Sequence, residues 1–432
     1  MKIGNTTLDI LTFIEENDIK FLRMQFCGLD GLSRNIAISA GQVENAIFYG
    51  VPFDSDAVVG FCVEGQSDMV LRPDFSTIVV YPWRPQRGKV ARVLCDVVYP
   101  DGRPYESDSR YVLKQQVAKA EKKGYTLNVG AECEFFLFKL GEDGEPTHEP
   151  VDQAGYCSMA PMDRGENTRR DIILTLEEMG FDVESSHHES AKGQHEIDFR
   201  YSDALSSADR VITLRNAVAT IAQRGGLHAT FMPKPKSGEP GSGMHINLSL
   251  VKNGVNLFAN DEGGLSKEAQ YFAAGILKHI PAITAVANPL VNSYKRLATG
   301  HEAPRTINWG YSSRQSLIRI PAAYGEYCRM ELRSPDPTCN PYLTYALVLA
   351  AGMDGIENQL PLMEPVDGSH EEGELLPMTL KDALIAMDKD PLVKDVFGAD
   401  LAAMYHRVKM AEWQRYIETV HDWETEAYFN LY

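Results

Sequence analysis

Residues 125–140 read YTLNVGAECEFFLFKL and residues 244–250 read MHINLSL. Both stretches alternate in twos, and in a strand residues i and i+2 share a face. In Ala131-Glu132-Cys133-Glu134-Phe135 the two glutamates therefore stand on one face with Cys133 opposite them. In the second stretch His245, Asn247 and Ser249 face one way, and Met244, Ile246, Leu248 and Leu250 the other. His195-Glu196-Ile197-Asp198-Phe199 puts Glu196 beside Asp198 on one face, and Arg329-Met330-Glu331-Leu332-Arg333 alternates as cleanly. Glu189 follows His187 and His188 in a further short segment. Alternation alone means one face in the core and one in water. Here several strands carry Glu and Arg on the polar face, and glutamates at i and i+2 repel each other. A divalent cation turns that repulsion into a site. Carboxylates with one imidazole and no thiolate suit hard cations such as Mg²⁺ or Mn²⁺, not zinc or copper. Cys133 is read as a small core residue.

Outward from these strands, the first hundred residues read as a small mixed domain. A helix over Leu8 to Glu16 leads to a strand at Lys20 to Cys27, the turn Gly28 to Gly31, and a second strand near Asn35 to Ile38, spaced as a hairpin. A helix at about Gly41 to Tyr49 and strands at Thr77 to Tyr81 and Val90 to Val98 follow. Tyr99 to Pro104, rich in Pro, Gly and Asp, marks the expected boundary between domains at 1–104 and 105–432. Beyond it, Ser107 or Asp108 caps a helix that stops at Gly124. Helices are expected near Asn167 to Met179, Leu205 to Gln223, Ser266 to Ala287 and Pro341 to Gln359, and through most of the last sixty residues.

With 60 acidic against 42 basic residues, the net charge of -18 argues against a nucleic-acid partner, which would need a basic face. Seven scattered cysteines without a CxxC pair fit neither a disulfide framework nor a zinc site, and point to a reducing, cytoplasmic setting. The N-terminal MKIGNTTLDILTFIEEND lacks the basic start and apolar run of a signal peptide, and no apolar stretch reaches the roughly 18 residues of a membrane span. Arg296, Arg314, Arg319, Arg329 and Arg333 are gathered in one region of the chain, and arginine forks match phosphate and carboxylate oxygens. The Gly-rich segment Lys234 to His245 lets a backbone approach a small substrate closely. It is not a P-loop, since GxxxxGK[ST] is missing, and HExxH is missing too.

The segments GAECEFFLFK, SSHHESAKGQHEIDFRY, GSGMHINLSL, NSYKRLATGHEAP and RMELRSPDPTCNPY stand in the order and spacing of type I glutamine synthetases, which the chain resembles from about Phe13 to Tyr428. The resemblance implies an α+β protein: an N-terminal β-grasp domain and a catalytic domain on a curved antiparallel sheet. It implies two cations, one on Glu134, Glu189 and Glu196 and the other on Glu132, His245 and Glu331. ATP would lie over Glu184, Phe199, Asn247 and Ser249, with Arg314, Arg319 and Arg329 on its phosphates; glutamate would be gripped by Glu134, Gly241, His245, Arg296, Glu302 and Arg333. Glu302, Arg314 and Asp54 would act in catalysis, Glu302 as the flap over the intermediate. Tyr156 and Glu189 would form the ammonium pocket, completed by Asp54 of a neighbouring subunit as proton acceptor. A homo-oligomer of twelve subunits in two rings, and nitrogen-regulatory protein partners, belong to the same expectation.

The chain departs from that pattern in places. The usual FDGSS reads Phe53-Asp54-Ser55-Asp56-Ala57, so Ala57 replaces a serine that lines the amine pocket. This opens an alternative: a γ-glutamyl ligase of the same fold that uses an organic amine, such as a polyamine or ethanolamine. A non-catalytic relative is a further reading, but all six ligand positions hold competent residues. Pro240 and Lys236 are unusual in the Gly-rich segment, Cys62 stands where a feedback-sensing arginine occurs in a related class, and the segment between Glu364 and Leu380 has no tyrosine loop for adenylylation.

Overall fold

The alternating stretches form neighbouring strands of one sheet. The computed structural model describes residues 6–61, 67–84, 87–259, 264–300, 302–311, 313–323, 325–366 and 373–432. The N-terminal part contains α1 (Thr7–Glu16), β1 (Ile19–Cys27), β2 (Ser33–Ser39), α2 (Val43–Tyr49), β3 (Val51–Asp54), β4 (Asp68–Val80) and β5 (Lys89–Val98). Thr6 caps α1, its hydroxyl accepting the Asp9 amide at 3.2 Å while the Asp9 carboxylate accepts the Thr6 amide. The strands run in the order β2-β1-β5-β4-β3, with β1 and β5 parallel and the other pairs antiparallel. The expected β1–β2 hairpin is present. β4 starts at Asp68, nine residues before the strand anticipated at Thr77, and β3 was not anticipated at all. Pro73 and Asp74 read as strand breakers, yet Pro73 pairs with Cys95 and the register shifts just after Asp74, where the irregularity absorbs them.

The remainder contains α3 (Ser109–Glu121), β6 (Tyr125–Leu140), β7 (Pro146–Pro150), α4 (Glu166–Glu178), β8 (Val183–His188), β9 (Gln194–Phe199), β10 (Ser202–Asp203), α5 (Ala204–Arg224), β11 (Leu227–Thr230), β12 (Met244–Lys252), β13 (Val255–Asn256), α6 (Lys267–Ala287) and α7 (Ser293–Thr299). After these come β14 (Thr306–Ile307), β15 (Trp309–Gly310), β16 (Ile318–Arg319), β17 (Met330–Leu332), α8 (Pro341–Glu357), β18 (Glu374–Leu375), α9 (Leu380–Lys389), α10 (Pro391–Glu418) and α11 (Asp422–Tyr428). The main sheet runs β15-β16-β17-β12-β6-β9-β8, with β7, β10 and β11 on β6 and β13 on β12. Every pairing in it is antiparallel except β15 with β16.

The apolar halves of these strands, including Cys133, Phe135, Ile197, Met244, Ile246, Met330 and Leu332, belong to one core with the helices. Cys133 is fully buried there, as expected. α6 and α8 cross so closely that a Cβ on Gly355 would stand 1.9 Å from the Tyr271 carbonyl oxygen. Gly398, at φ 75°, breaks α10 with a conformation that side chains rarely adopt. The N-terminal sheet is tied to this layer by buried polar bonds: Arg110 to Asp74, Asp96 and Asp209, and Asn340 Nδ2 to the Gly28 carbonyl at 3.0 Å.

Candidate active site

Strand register gathers the polar faces. His245 pairs with Glu132 across β12 and β6, and Glu132 and Glu134 pair with Asp198 and Glu196 across β6 and β9. Asn247 pairs with Glu331 across β12 and β17. The result is a concave acidic surface over the middle of the sheet. His245 Nδ1 lies 3.3 Å from Glu132 and 3.6 Å from Glu331, and its Nε2 is 4.0 Å from Glu134. Asn247 donates to the other Glu132 oxygen at 2.7 Å. Glu134 accepts from Gln194 at 2.7 Å and from the Gly243 amide at 3.0 Å. Glu331 is bracketed by Arg319, at 2.7 Å, and Arg333.

Donor atoms of Glu132, Glu196 and His245 come together closely enough to hold one metal ion, and so do those of His187, Glu196 and Asp198. These groupings cut across the two ligand sets that the sequence implied. Glu196 stands between both, while Glu189 is bonded to His187 at 2.7 Å and to the Ser190 amide at 3.1 Å. Electrostatics fit a cation. Burial and then Glu189 push Glu134 up to about 8. Burial and then Asp198 and Glu134 raise Glu196, and burial with Glu132 among the causes pushes Asp198 up to about 6. Glu132 goes the other way: burial opposes its charge, but hydrogen bonds from His245 and Asn247 and the nearby Arg333 bring it to about 2. Burial and then Arg333 lower His245, leaving the neutral imidazole a metal ligand requires. Its Nε2 is buried without a hydrogen-bond partner. A lone pair aimed among carboxylates that cannot all ionise together fits a divalent ion.

Beside this surface lies a cleft of about 600 Å³ lined by Glu184, Phe199, Asn247, Ser249 and Arg329, five of the seven residues implied for ATP. Arg329 Nε donates to Asn247 at 3.1 Å. Arg314 is exposed and Arg319 is turned toward Glu331, and neither is in that lining. On the other side, Gly241 offers its carbonyl to Gln194 at 3.1 Å. Arg296, 3% exposed, spends its guanidinium on the carbonyls of Arg333, Ser334 and Pro335. Arg333 reaches the carbonyls of Arg314, at 2.9 Å, and Glu302, at 3.3 Å. Glu302 holds φ 57°, and its carboxylate is 3.4 Å from the Ser190 hydroxyl. The residue expected as the flap and the arginine expected to grip glutamate are thus in contact.

Tyr156 stacks edge-on against His187 with centroids 5.3 Å apart, next to Glu189. Asp54 is exposed at the end of β3, in the N-terminal sheet rather than the catalytic one, and Ala57 is exposed near it. Cys62 and His301 lie outside the described residues. The sequence reading put Asp198 on the face of Glu196 and Gly243 in the Gly-rich segment but gave neither a role, and it gave none to Gln194 or His187. Gln194 shares the face of Glu196, so alternation alone could have included it.

Residues 18–100 match the family model described as glutamine synthetase, beta-Grasp domain, and residues 106–428 match the one described as glutamine synthetase, catalytic domain. The chain is 50% identical over 439 residues to the glutamine synthetase of Clostridium saccharobutylicum, covering 99% of each chain. It is 48% identical over 443 residues to that of Methanosarcina mazei, covering 100% of this chain and 99% of the relative. Among solved structures it is similar to a GmaS–ADP complex, with a TM-score of 0.90 and 34% identity over 97% of this chain and 99% of that one.

Proposed function

The chain belongs to the glutamine synthetase family and makes glutamine from glutamate and ammonia at the expense of ATP, and from that premise we propose how its own residues divide the work. Two cations, Mg²⁺ or Mn²⁺, would be held by Glu134, Glu189 and Glu196 and by Glu132, His245 and Glu331, with Glu196 near both groups. When bound they supply positive charge against the ATP phosphates. ATP lies in the cleft over Phe199 and Ser249, with Arg314, Arg319 and Arg329 on its phosphates. Arg296, Arg333 and Gly241 orient glutamate so that a γ-carboxylate oxygen attacks the terminal phosphorus. That oxygen–phosphorus bond forms as the bond to ADP breaks, giving γ-glutamyl phosphate.

Ammonium is drawn to Glu189 and Tyr156, and gives a proton to Asp54 of a neighbouring subunit. The resulting ammonia then attacks the γ-carbon, the carbon–oxygen bond to phosphate breaks, and the proton that the nitrogen sheds leaves with the phosphate. Glu302, tethered by Arg333, keeps water from the acyl phosphate. A site completed by Asp54 from another copy requires an oligomer, for which the double ring of twelve is our reading. Its domains divide near residue 104, it works in the cytoplasm, and nitrogen-regulatory proteins are candidate partners. No described helix is long and apolar enough to cross a membrane.

The observation that carries this reading is the convergence of Glu132, Glu196 and His245 from three strands, with the buried His245 Nε2 left unpartnered. Ala57 favours a second reading in which an organic amine replaces ammonium. Purified protein with ATP, Mg²⁺ and glutamate, assayed against ammonium and a panel of amines, separates them. Ammonium is expected to give the highest kcat/KM; a higher value for any organic amine overturns the assignment.

A further inference from the structure

Behind the acidic surface lies a second cluster of titratable groups that the reaction does not use. Asp152, Asp163, His188 and His195 are all buried, with donor atoms close together. They do not frame a metal site, because Arg169 already supplies the cation: one guanidinium nitrogen is 2.8 Å from Asp163 and 2.7 Å from His195 Nδ1.

Asp152, 4% exposed, is instead a hub. One of its oxygens accepts the amides of Ala154, at 3.2 Å, and Gly193, at 3.1 Å, and meets His188 Nε2 at 3.0 Å. The other accepts the Arg164 amide at 3.0 Å. The His188 ring then reaches the Glu189 carbonyl through Nδ1 at 2.7 Å, and the His188 carbonyl accepts the Cys157 amide at 2.9 Å. Ala154 is two residues from Tyr156. The same carboxylate therefore anchors the loop that carries Tyr156 and, through His188, the backbone that carries Glu189.

We propose that Asp152 and His188 are positioning residues for the ammonium pocket: they fix the separation of Tyr156 and Glu189 from behind and so set affinity for the amine without touching it. The proposal rests on the assignment of Tyr156 and Glu189 to that pocket. Outer partners of metal ligands change affinity or activity about 10- to 100-fold when altered, and Asp152 and His188 stand in a like relation to Tyr156 and Glu189.

The test is steady-state kinetics on the assembled enzyme, with KM measured separately for ammonium, glutamate and ATP, and with particle size and Tm recorded. Because Glu189 also stands in a proposed cation set, the assays are run at saturating Mg²⁺; there Asp152→Asn is expected to raise the ammonium KM about tenfold and the KM for glutamate and ATP by clearly less. His188→Ala should do the same. His188→Asn keeps a donor where Nδ1 stood, and should recover part of the loss. Tyr156→Ala reads the pocket directly. If it leaves the ammonium KM unchanged, the pocket assignment fails and the proposal falls with it. If Tyr156→Ala raises the ammonium KM but folded Asp152→Asn does not, or moves all three KM values together, the positioning role alone is overturned. Should Asp152→Asn fail to assemble, the histidine pair decides: equal ammonium KM for His188→Ala and His188→Asn refutes the proposal.

Discussion

His245 and Glu132 face each other across β12 and β6, the imidazole Nδ1 3.3 Å from the carboxylate, with Asn247 fixing the other oxygen at 2.7 Å. The pair is preorganised by strand register, so it needs little rearrangement to receive an ion. Glu132→Gln keeps the shape and an acceptor for Asn247 but removes the charge. We expect kcat to fall about 10²- to 10³-fold, the range seen when one preorganised electrostatic group is lost. Because the fold holds Glu132 ionised, well below the usual carboxylate range, removing its charge should also lower the Tm of the metal-free protein. A variant with near-native kcat would show that Glu132 holds no cation.

Cation binding should be strongly pH-dependent. Burial raises Glu134, Glu196 and Asp198, and neighbouring carboxylates add to it (Glu189 at Glu134, Asp198 and Glu134 at Glu196, Glu132 at Asp198), bringing Glu134 to about 8 and Asp198 to about 6. For a carboxyl raised in the folded state, stability is present below the unfolded value and is lost as pH rises through the folded one. The metal-free protein is therefore penalised by these groups at alkaline pH, and a cation removes the penalty. At lower pH the cation must displace protons first. At one fixed Mn²⁺ concentration the Tm gain should be larger near about pH 8 than near about pH 6; where that concentration reaches 100 times Kd the gain corresponds to about 2.7 kcal/mol per site. Scanning fluorimetry with Mn²⁺ or a chelator at each pH checks this. An equal gain at both would mean that the ion binds elsewhere.

Why the sequence was legible in some places and not others follows from which interactions fix each part. The strands carrying Glu132, Glu196, His245 and Glu331 could be read because their apolar halves are buried to 1% or less at Cys133, Ile197, Ile246 and Met330, so period two is enforced by the core. Their neighbours across the sheet are long-range pairings that a linear reading cannot supply. The resemblance implies two separate ligand sets, whereas the folded sheet brings Glu196 of the first beside Glu132 and His245 of the second. β3 and the first half of β4 were missed because Pro52, Pro73 and Asp74 locally disfavour strands, and only pairing with their neighbours overrides that preference. Asp152 gave no local signal: its partners at 154, 164, 188 and 193 meet it only in the folded chain.

Asp108 precedes α3 as its N-cap residue, fully buried, with one oxygen accepting the Val97 amide at 3.2 Å. Burial first, and then Asp96, push it up to about 7. By the same sign rule it costs stability as pH rises from about 4 toward about 7, by at most roughly 1.4 kcal/mol per unit. Asp108→Asn keeps an acceptor and removes the titration. Its Tm advantage over the native protein should grow with pH and vanish in mild acid. A constant difference across that range would show that the charge is not the cause.

Arg110, with a side chain 3% exposed, joins Asp74 and Asp96 of the N-terminal sheet to Asp209 of α5. Tyr342 donates to the same Asp209 at 2.7 Å. Taking the guanidinium away leaves carboxylates facing one another across the domain contact, with Lys114 able to answer only part of that charge. Arg110→Met should cost about 3 kcal/mol, the scale for breaking a largely buried ion network. Arg110→Lys should recover little, since one ammonium cannot reach three carboxylates in a planar fork. Chemical denaturation of the three proteins gives the comparison, and a full rescue by lysine would argue for charge alone.

Gly243 stands where the acidic surface meets the proposed glutamate side, between Glu134 and Arg296. Its amide donates to Glu134 and its carbonyl accepts the Glu134 amide at 3.1 Å. A Cβ here would lie 2.6 Å from an Arg296 terminal nitrogen, 3.0 Å from His245 Nε2 and 3.2 Å from a Glu134 oxygen. Arg296 cannot easily retreat, because three backbone carbonyls hold it. The methyl of Gly243→Ala would therefore occupy the space in which cation and substrate carboxylate must meet. It should raise the glutamate KM about tenfold and lower kcat, since a displacement of about 1 Å near the reacting groups is enough for effects of that size. The backbone at this position is not left-handed, so alanine brings no backbone strain, and any fall in Tm comes from the close contact with Arg296, about 1–3 kcal/mol for such overpacking. Kinetics and melting measured on one preparation separate the two effects: a large fall in Tm with native KM would mean that the glycine serves packing, and that the space beside Arg296 is not where glutamate binds.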